Sequence, residues 1–383
     1  MNSNNQLIGI FASDFHFGGH SNLENFKKET DFFIDFVKKN LDELDMVILG
    51  GDLFDRVLNF KEPAGKLVSS FFLQLYELLV KNEKYLLYVN GTISHDNNQI
   101  YVFQEYLNNY FRIYSNLTID TLFMLENDEP LNFLFIPEEY PKDKDIYFEL
   151  IKEECEKYAP VMAFGHGTFD FTSFESQKIM SEKQLNTAPI FDSEFMSNLV
   201  SGQILFGHIH SPLEWKNKII YANSFSRNCF GEEKDKGFLI FYIDIENKTT
   251  ETKRVINIYA PEYKTIDLSD YEFEKMPVEE KIKFIKKQKE IYPNLRIIDT
   301  KNVSSVDSQI LQSAFKFDNN IKIESNYKRV KKEVSEEDEK FDFVLKRSLP
   351  FPEIVQKFIK ISYNKDLSLK EIEEILSETK KDK

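Results

Sequence analysis

The chain has 383 residues, of which 42% are hydrophobic, so it can bury a sizeable core across two or three domains and is not wholly disordered. Its net charge of −15 argues against nucleic-acid binding through clustered lysines and arginines, although metal ions or a basic partner can neutralise phosphate locally. The two cysteines, Cys155 and Cys229, form no spaced cluster, so the sequence predicts neither a thiolate metal site nor a disulfide scaffold.

Signals for secretion, membrane insertion and nucleotide hydrolysis are missing from the sequence. The stretch MNSNNQLIGIFASDFH has no basic region and too short an apolar run for a signal peptide. No segment approaches the ~20 apolar residues that cross a membrane, so we expect a cytoplasmic protein that makes no membrane contact. The stretch EPAGKLVSS holds a Gly-Lys pair but not the rest of a P-loop, so the chain is not expected to hydrolyse ATP by itself.

Short apolar runs alternate with helical stretches from residue 7 to about residue 257, which is typical of an α/β fold. Between the first two runs, residues 23–44 carry apolar side chains at helical spacing. The runs that predict buried strands are LIGIFA, MVILGG, KYLLYV, NFLFI, VMAFG, ILFG, KIIYA and GFLIFYI.

The pattern changes near residue 259, and a domain organisation follows from the change. The predicted segments are an α/β domain at 1–258, a small α+β unit at 259–325, a charged linker at 326–346 and a helical tail at 347–383. The linker contains YKRVKKEVSEEDEK, a run of both charges that is typical of a solvated segment.

Helices and strands are also predicted in the C-terminal segments. The small unit has helical patterns at 278–292 and 305–315 and a strand-like run, NLRIIDT, between them. In the tail, Ser368 and Glu371 have the spacing of a capping box at the start of its second helix. Both tail helices carry an apolar stripe, which favours docking either on a partner or on the chain's own catalytic domain.

Five of the six histidines lie just past predicted strands. Two of them stand in ILFGHIH, where residues i and i+2 of a strand point to the same side. Two aspartates follow strands in the same way. Because open α/β sheets collect their ligands at the carboxyl ends of strands, these side chains are predicted to converge. The set is Asp14, His16, Asp52, His95, His166, His208 and His210.

Each of these residues also has an ordinary structural explanation. A single aspartate after a strand is usually a helix cap, and a single histidine is often hydrogen-bonded in a core. His208 and His210, taken alone, slightly favour a pair of surface histidines. Together these explanations require five independent coincidences. Carboxylate and imidazole without thiolate suit Mn²⁺, Fe²⁺ or Zn²⁺, and the candidates exceed what one ion needs, so we expect two ions.

The motifs DFH, GDLFD, SHD, GH and GHIH, in this order over residues 7–240, resemble those of the calcineurin-like metallophosphoesterase superfamily. Within it, GGDLFD resembles the SbcD-type nuclease subunits of double-strand-break repair and the related phage recombination nucleases. Protein phosphatases of the superfamily instead show GD-x-x-D-R-G and GNHE. The resemblance implies the metallophosphoesterase fold, with two packed mixed β-sheets flanked by helices, a small α+β capping domain and a C-terminal helical tail.

The resemblance also implies roles for individual residues. His95 would face the scissile phosphate, where it stabilises the transition state or protonates the leaving oxygen. Asp96 would orient the His95 ring, with capping of the next helix as the alternative role. The implied metal ligands are Asp14, His16 and His210 for one ion, His166 and His208 for the other, and Asp52 as the bridge between them.

One position departs from the family pattern. The usual motif is GNHD, in which the asparagine amide oxygen completes the second metal site, and here Ser94 precedes His95. The Ser94 hydroxyl could bind the metal directly or hold a water molecule. Asn90, four residues upstream, is the alternative ligand.

The implied function is that of a metal-dependent DNA nuclease subunit that uses two divalent ions, with Mn²⁺ as the expected metal. It would be an exonuclease on duplex ends and an endonuclease on single strands. It would work as a homodimer with an SMC-like ATPase of the SbcC type, which binds the tail. The alternatives are a metallophosphoesterase for small phosphodiesters or phosphoproteins and a non-catalytic DNA-end scaffold. No site role is assigned to His20, Arg56, Arg227 or Lys236.

Overall fold

The structure is a computed structural model that describes residues 6–125, 128–172, 188–232, 234–267, 276–292, 294–299, 305–316, 318, 321–325, 356 and 368–372. The α-helices in this part are α1 (Leu23–Lys39), α2 (Pro63–Leu79), α3 (Lys144–Tyr158), α4 (Ser193–Ser197), α5 (Val278–Ile291) and α6 (Ser305–Ala314), with 3₁₀ helices at Val80–Asn82 and Gln99–Tyr106. The strands are β1 (Gln6–Ala12), β2 (Met46–Leu49), β3 (Tyr85–Val89), β4 (Phe111–Tyr114), β5 (Thr118–Met124), β6 (Pro130–Ile136), β7 (Met162–His166), β8 (Thr168–Phe169), β9 (Ile190–Phe191), β10 (Ile204–Gly207), β11 (Glu214–Trp215), β12 (Ile219–Tyr221), β13 (Gly237–Asp244), β14 (Thr249–Ile256), β15 (Tyr263–Asp267), β16 (Asn294–Asp299) and β17 (Ile321–Ser325).

Two six-stranded mixed sheets form the framework of the larger unit. The first has the order β14-β13-β1-β2-β3-β4, in which β1 to β4 are parallel and β13 lies antiparallel to β1. The second has the order β11-β12-β10-β7-β6-β5, in which β12, β10, β7 and β6 are parallel. Each sheet therefore contains a block of neighbouring parallel strands whose carboxyl ends lie at one edge.

Apolar side chains fill the space on both faces of each sheet. Ile10 of β1 belongs to the cluster that packs the first sheet against α1 and α2. Its neighbour Phe11 points the other way, into the layer between the sheets, where its ring stacks on Phe164 of β7 at a centroid distance of 5.9 Å. The far face of the second sheet is covered by α3 and α4 through Ile151 and Met196. Because both faces are buried, the central parallel strands are apolar throughout, and the predicted α/β class with two mixed sheets flanked by helices is confirmed.

Side-chain caps decide where several helices begin. The Asn22 side chain accepts from the backbone N–H of Asn25 at 3.0 Å, and Asp143 and Asp192 cap α3 and α4 in the same manner. The predicted helix at 23–44 ends earlier, at Lys39. Asn40 closes the helix, since both its backbone N–H and its side-chain amide donate to the Phe36 carbonyl.

The structure divides into two compact units, Met1–Ile266 with Glu279–Ile297 and Phe315–Lys322, and Asp267–Val278 with Ile298–Ala314 and Ile323–Lys383. The elements expected within 260–325 are present as α5, β16 and α6, and β16 lies between β15 and β17 in a three-stranded sheet. The predicted domain boundary at residue 258 stays a prediction. The linker at 326–346 lies outside the described residues.

Two further expectations concern the tail and the membrane. Only a small part of the tail is described, and there the Ser368 and Glu371 side chains make the reciprocal hydrogen bonds of a capping box, which confirms that motif. Within the described ranges, none of the helices combines the length and the apolar character that a membrane span requires.

Candidate metal centre

The strand-end residues come together because two loops of the first sheet run side by side. After β1, the backbone N–H groups of Asp14 and His16 donate to the carbonyls of Gly51 and Asp52, each at 3.0 Å. Asp14 also accepts from the backbone N–H of His208, which follows β10 of the second sheet, at 3.1 Å. These bonds bring the carboxyl ends of both parallel blocks to one place, as the sequence predicts.

Asp14, His16 and His210 form one group of possible metal ligands. The Nε2 atoms of His16 and His210 lie 3.0 Å apart, and His210 Nε2 lies 3.5 Å from Asp14 Oδ1. Asp14 is fully buried. Burial opposes its charge, but the hydrogen bond with His210 and the nearby His166 outweigh that effect and lower the pKa of Asp14 to about 2. Its carboxylate is therefore ionised, as metal binding requires.

Asp52, His166 and His208 form a second group beside the first. His166 Nε2 lies 3.3 Å from both Asp52 Oδ2 and His208 Nδ1. The other ring nitrogen of His166 lies 2.8 Å from the Gly50 carbonyl, which fixes the ring with Nε2 facing the group. Asp52 belongs to this group, and its bridging role between two ions stays a prediction.

The donor atoms of both groups fit a divalent ion. Atoms that bind one ion at about 2.1 Å lie roughly 3.0–3.4 Å from one another, which is the spacing of the ring nitrogens in each group. Each nitrogen pair fits either a hydrogen bond between neutral rings of suitable tautomer or a shared ion. The buried Asp and His groups are thus positioned to bind a metal ion.

Backbone strain collects at these residues. Four of the six adopt positive φ angles, with values of 56° at Asp14, 50° at His16, 48° at Asp52 and 91° at His208. Such conformations cost about 1 kcal/mol or more each in residues other than glycine, and they persist where the surrounding structure holds them for a function. Gly51 has φ +90°, and a Cβ atom there would lie 2.5 Å from His166 Nδ1, so only glycine fits.

Carboxylates that the sequence did not single out lie behind the ligands. Glu232 Oε1 lies 2.6 Å from His210 Nδ1, and Asp55 Oδ1 lies 3.4 Å from His16 Nδ1. Lys236 is buried, and its Nζ donates to the His210 carbonyl at 2.7 Å and lies 3.3 Å from Glu232 Oε2. Carboxylates on the outer ring nitrogen are usual for metal-binding histidines, because they fix the tautomer and the ring orientation.

The His95 ring lies 5.0 Å from the His16 ring, and its action on a phosphate stays a prediction, whereas Asp96 has a different role. His95 Nδ1 lies 2.8 Å from the Asp55 carbonyl oxygen, which orients the ring. The buried Asp96 carboxylate accepts from the backbone N–H groups of Asp52, Phe54 and Gly91 at 2.7–3.2 Å and from the Tyr88 hydroxyl at 2.5 Å. Within the part of the chain that the structure describes, these bonds direct the carboxylate to the Asp52 loop and not to the His95 ring or a helix N-terminus. The predicted role of Asp96 is therefore corrected: it anchors the Asp52 loop.

Ser94 does not lie among the ligands. Its side chain is exposed, whereas Thr92 is buried and points into the second group. The Thr92 N–H donates to Asp52 Oδ1 at 2.6 Å, and its hydroxyl lies 3.2 Å from Asp52 Oδ2. The Asn90 side chain turns away and donates to Asn98 and Ser115. Thr92, the residue directly after Gly91, therefore takes the place expected for Ser94, because the loop has two more residues before His95 than GNHD has.

Glu138 is a third acidic residue that the sequence analysis did not single out. Glu138 Oε2 lies 3.3 Å from His208 Nδ1, 3.7 Å from His166 Nε2 and 3.0 Å from the Thr92 hydroxyl. Glu138 is the second residue after β6, which is the parallel neighbour of β7. The rule that identified the other residues, a polar side chain just past an apolar strand, also applies to the E in NFLFIPE.

A cavity of about 460 Å³ opens over the two groups, and its lining includes His16, Asp52, His95, His208 and His210.

The basic residues to which the sequence analysis assigned no site role make contacts with other parts of the chain. His20 Nε2 lies 2.8 Å from the Phe15 carbonyl, and its ring stacks on Phe26. Arg56 pairs with Glu62 at 3.0 Å, and Arg227 Nε donates to the Glu232 carbonyl at 3.0 Å.

Comparison with known proteins adds little to this geometry. No protein-family model matches the chain, and no curated protein matches it. Among solved structures, the crystal structure of a hypothetical protein from Thermus thermophilus is 10% identical, with a TM-score of 0.34 over 65% of this chain and 98% of that chain. A likeness at that level supports no inference about function. Only the geometry of the structure therefore describes the site, which is a buried cluster of aspartate and histidine groups positioned to bind a metal ion.

Proposed function

We propose that this chain is a metal-dependent DNA nuclease subunit of the calcineurin-like metallophosphoesterase superfamily, similar to the SbcD-type and phage recombination nucleases. The observation that carries the proposal is the pair of adjoining Asp/His groups, linked by the hydrogen bond from the His208 N–H to Asp14. Two sets of ligands side by side are the usual arrangement of sites that hydrolyse phosphate esters.

The ligands divide between two ions as the resemblance implies. Two divalent ions at this site, with Mn²⁺ as the proposed metal, would polarise a phosphoryl oxygen and make a water molecule more acidic. The first ion would be held by Asp14, His16 and His210, the second by His166 and His208, with Asp52 between them. The carboxylates and imidazoles of the two groups hold their donor atoms in place before any ion binds, since hydrogen bonds and backbone strain already fix them.

His95 acts on the substrate from the rim of the cavity. Its Nδ1–H donates to the Asp55 carbonyl, which leaves Nε2 as the nitrogen that can face a phosphate. A protonated Nε2 would stabilise charge on the phosphoryl oxygens or give its proton to the leaving oxygen. The Asp55 carbonyl keeps the ring in one orientation for that transfer.

The substrate and partners follow from the branch of the superfamily that GGDLFD resembles. We propose exonuclease action on duplex ends and endonuclease action on single strands, in a cytoplasmic homodimer with an SMC-like ATPase of the SbcC type. Since the net charge is −15, phosphate binding would depend on the ions and on the partner rather than on a basic surface.

The test is a set of substrates offered to metal-stripped protein with and without Mn²⁺. Linear duplex DNA, circular single-stranded DNA, bis(p-nitrophenyl) phosphate and a phosphopeptide are compared for the wild type and for His208→Ala. We expect Mn²⁺-dependent cleavage of DNA that EDTA and His208→Ala both abolish. Cleavage of the small diester or the phosphopeptide without cleavage of DNA would support the small-substrate alternative. DNA-end binding without any hydrolysis would support a scaffold.

A further inference from the structure

The second group of ligands contains a carboxylate that the family pattern does not supply. Glu138 enters the site from the end of β6, and its side chain is only 4% exposed. Its Oε1 accepts from the Tyr140 hydroxyl at 2.6 Å, which turns Oε2 towards the histidines. Oε2 therefore faces His208 Nδ1 and also His166 Nε2, the ring nitrogen that lies beside Asp52.

Three distances within this group match those of atoms around one ion, and the fourth, from Glu138 to His166, is longer. Glu138 Oε2 lies 3.3 Å from His208 Nδ1 and 3.7 Å from His166 Nε2. His166 Nε2 in turn lies 3.3 Å from His208 Nδ1 and from Asp52 Oδ2. Donor atoms that share an ion at about 2.1 Å are separated by roughly 3.4 Å in tetrahedral geometry. Glu138 thus approaches both histidines of the group, and His166 also lies beside Asp52.

We infer that Glu138 is a ligand of the second metal ion and does the work that an asparagine amide does in the usual GNHD motif. This inference rests on the metal site of the proposed function. Thr92, which occupies the asparagine position, has too short a side chain to replace the amide, and its hydroxyl instead lies 3.0 Å from Glu138 Oε2 and positions that oxygen.

The replacement changes the charge of the site. Glu138 adds one negative charge beside the second ion, whereas an amide in its place would add none. Carboxylate ligands suit Mn²⁺ better than softer ions, so Glu138 favours manganese at this position.

The experiment counts Mn²⁺ ions bound to metal-stripped full-length protein by isothermal titration calorimetry and by electron paramagnetic resonance of the free ion. The variants are Glu138→Ala and Glu138→Gln. The matched control is Glu139→Gln, since the Glu139 carboxylate accepts from the Leu117 N–H and the Tyr147 hydroxyl, each at 3.0 Å.

We expect two Mn²⁺ ions per chain for the wild type and for Glu139→Gln. In Glu138→Ala, the affinity of the second ion should fall by more than about 100-fold, beyond the 10–100-fold that the loss of an outer partner costs. The affinity of Glu138→Gln for the second ion should lie between those of the wild type and Glu138→Ala, because an amide oxygen can bind the ion but carries no charge. Unchanged affinity for two ions in Glu138→Ala, or fewer than two ions on the wild type, overturns the inference.

Folding and activity are measured separately, so that the results stay distinct. Circular dichroism of the metal-free variants checks their fold, and if Glu138→Ala is unfolded, the isosteric Glu138→Gln decides. Unfolding of both variants would assign Glu138 to the stability of the fold and would also overturn the inference. A wild type that binds two ions through Glu138 but cleaves no DNA contradicts the proposed function alone. DNA cleavage with wild-type metal affinity in Glu138→Ala contradicts the inference alone.

Discussion

The Nε2 atoms of His16 and His210 lie 3.0 Å apart, although the two residues are 194 positions apart in the chain. Each ring has a carboxylate on its other nitrogen, Asp55 for His16 and Glu232 for His210. The contact with Glu232 holds the His210 ring with Nε2 facing inwards, which is the orientation in which an imidazole binds a metal ion.

Glu232 should control metal affinity without binding the ion itself. Glu232→Gln removes the charge that lies 2.6 Å from His210 Nδ1, so the ring loses basicity and its fixed tautomer. We expect Mn²⁺ affinity at the first group to fall by about 10–100-fold. Titration of metal-stripped protein measures the change, and Glu194→Gln, which alters an exposed ion pair with Lys216, is the control. Equal affinities in the two variants would show that Glu232 does not act on the site.

His95 should affect turnover and not metal content. His95→Asn removes the group that can transfer a proton, and turnover on DNA should fall by roughly 10²–10⁴ while metal content and DNA affinity stay near normal. The measurement pairs single-turnover cleavage with metal analysis. Since His16, Asp55 and His95 also lie close enough together to hold an ion, a loss of bound metal in this variant would show that His95 is a ligand.

Thr92 and Ser94 make a matched pair within one loop. Thr92→Val removes the hydroxyl that lies 3.2 Å from Asp52 Oδ2 and 3.0 Å from Glu138 Oε2. We expect the affinity for the second metal ion to fall by about 10–100-fold, as it does when other outer partners are lost. Ser94→Ala changes an exposed side chain and should alter stability by no more than about 0.5 kcal/mol, with normal metal binding. Weaker binding of the second metal ion in Ser94→Ala, with normal binding in Thr92→Val, would show that Ser94 is the ligand.

Glu29 should make stability depend on pH. Burial raises the pKa of this α1 residue to about 7 from its ordinary value of 4.5, against hydrogen bonds from Asn257 and Asn25. The folded state binds the Glu29 proton more tightly than the unfolded state does. Protonated Glu29 therefore adds about 3 kcal/mol to the free energy of unfolding below pH 4.5, and this contribution is lost as the pH rises through 7. Urea unfolding between pH 5 and 8 should show a shallower decline in Glu29→Gln than in the wild type. Parallel pH profiles for the two proteins would contradict this assignment.

The tail should bind the partner ATPase. Most of residues 347–383 lie outside the described residues, and the prediction comes from the two apolar helical stripes in the sequence. Truncation after Lys346 should leave a folded protein that cleaves single-stranded DNA with Mn²⁺ but no longer co-purifies with the ATPase. Retained co-purification at the wild-type ratio, or unfolding of the truncated protein, would place the tail on its own catalytic domain.

The sequence alone determined eight of the twelve strands of the two sheets and the residues at the ends of those strands, whereas the edge strands β4, β5, β11 and β14 were not predicted. Runs such as LIGIFA and VMAFG are apolar throughout because both faces of each sheet are covered, and that pattern is local. The Asp and His candidates were visible because histidine is rare in this chain, with six in 383 residues, and the position just past a strand is a local property.

The tertiary structure alone decided which other side chains join the site. The chain has 64 acidic residues, so no pattern distinguishes Glu232 or Asp55 until the loops that carry them are placed beside the histidines, and the strand-end rule fits Glu138 without showing which side chains it meets. The choice of Thr92 over Ser94, and the role of Asp96 as the anchor of the Asp52 loop, depend on how the loop after Gly91 turns. Hydrogen bonds between residues that are distant in sequence decide that turn, because local propensity does not specify the partner of a buried carboxylate.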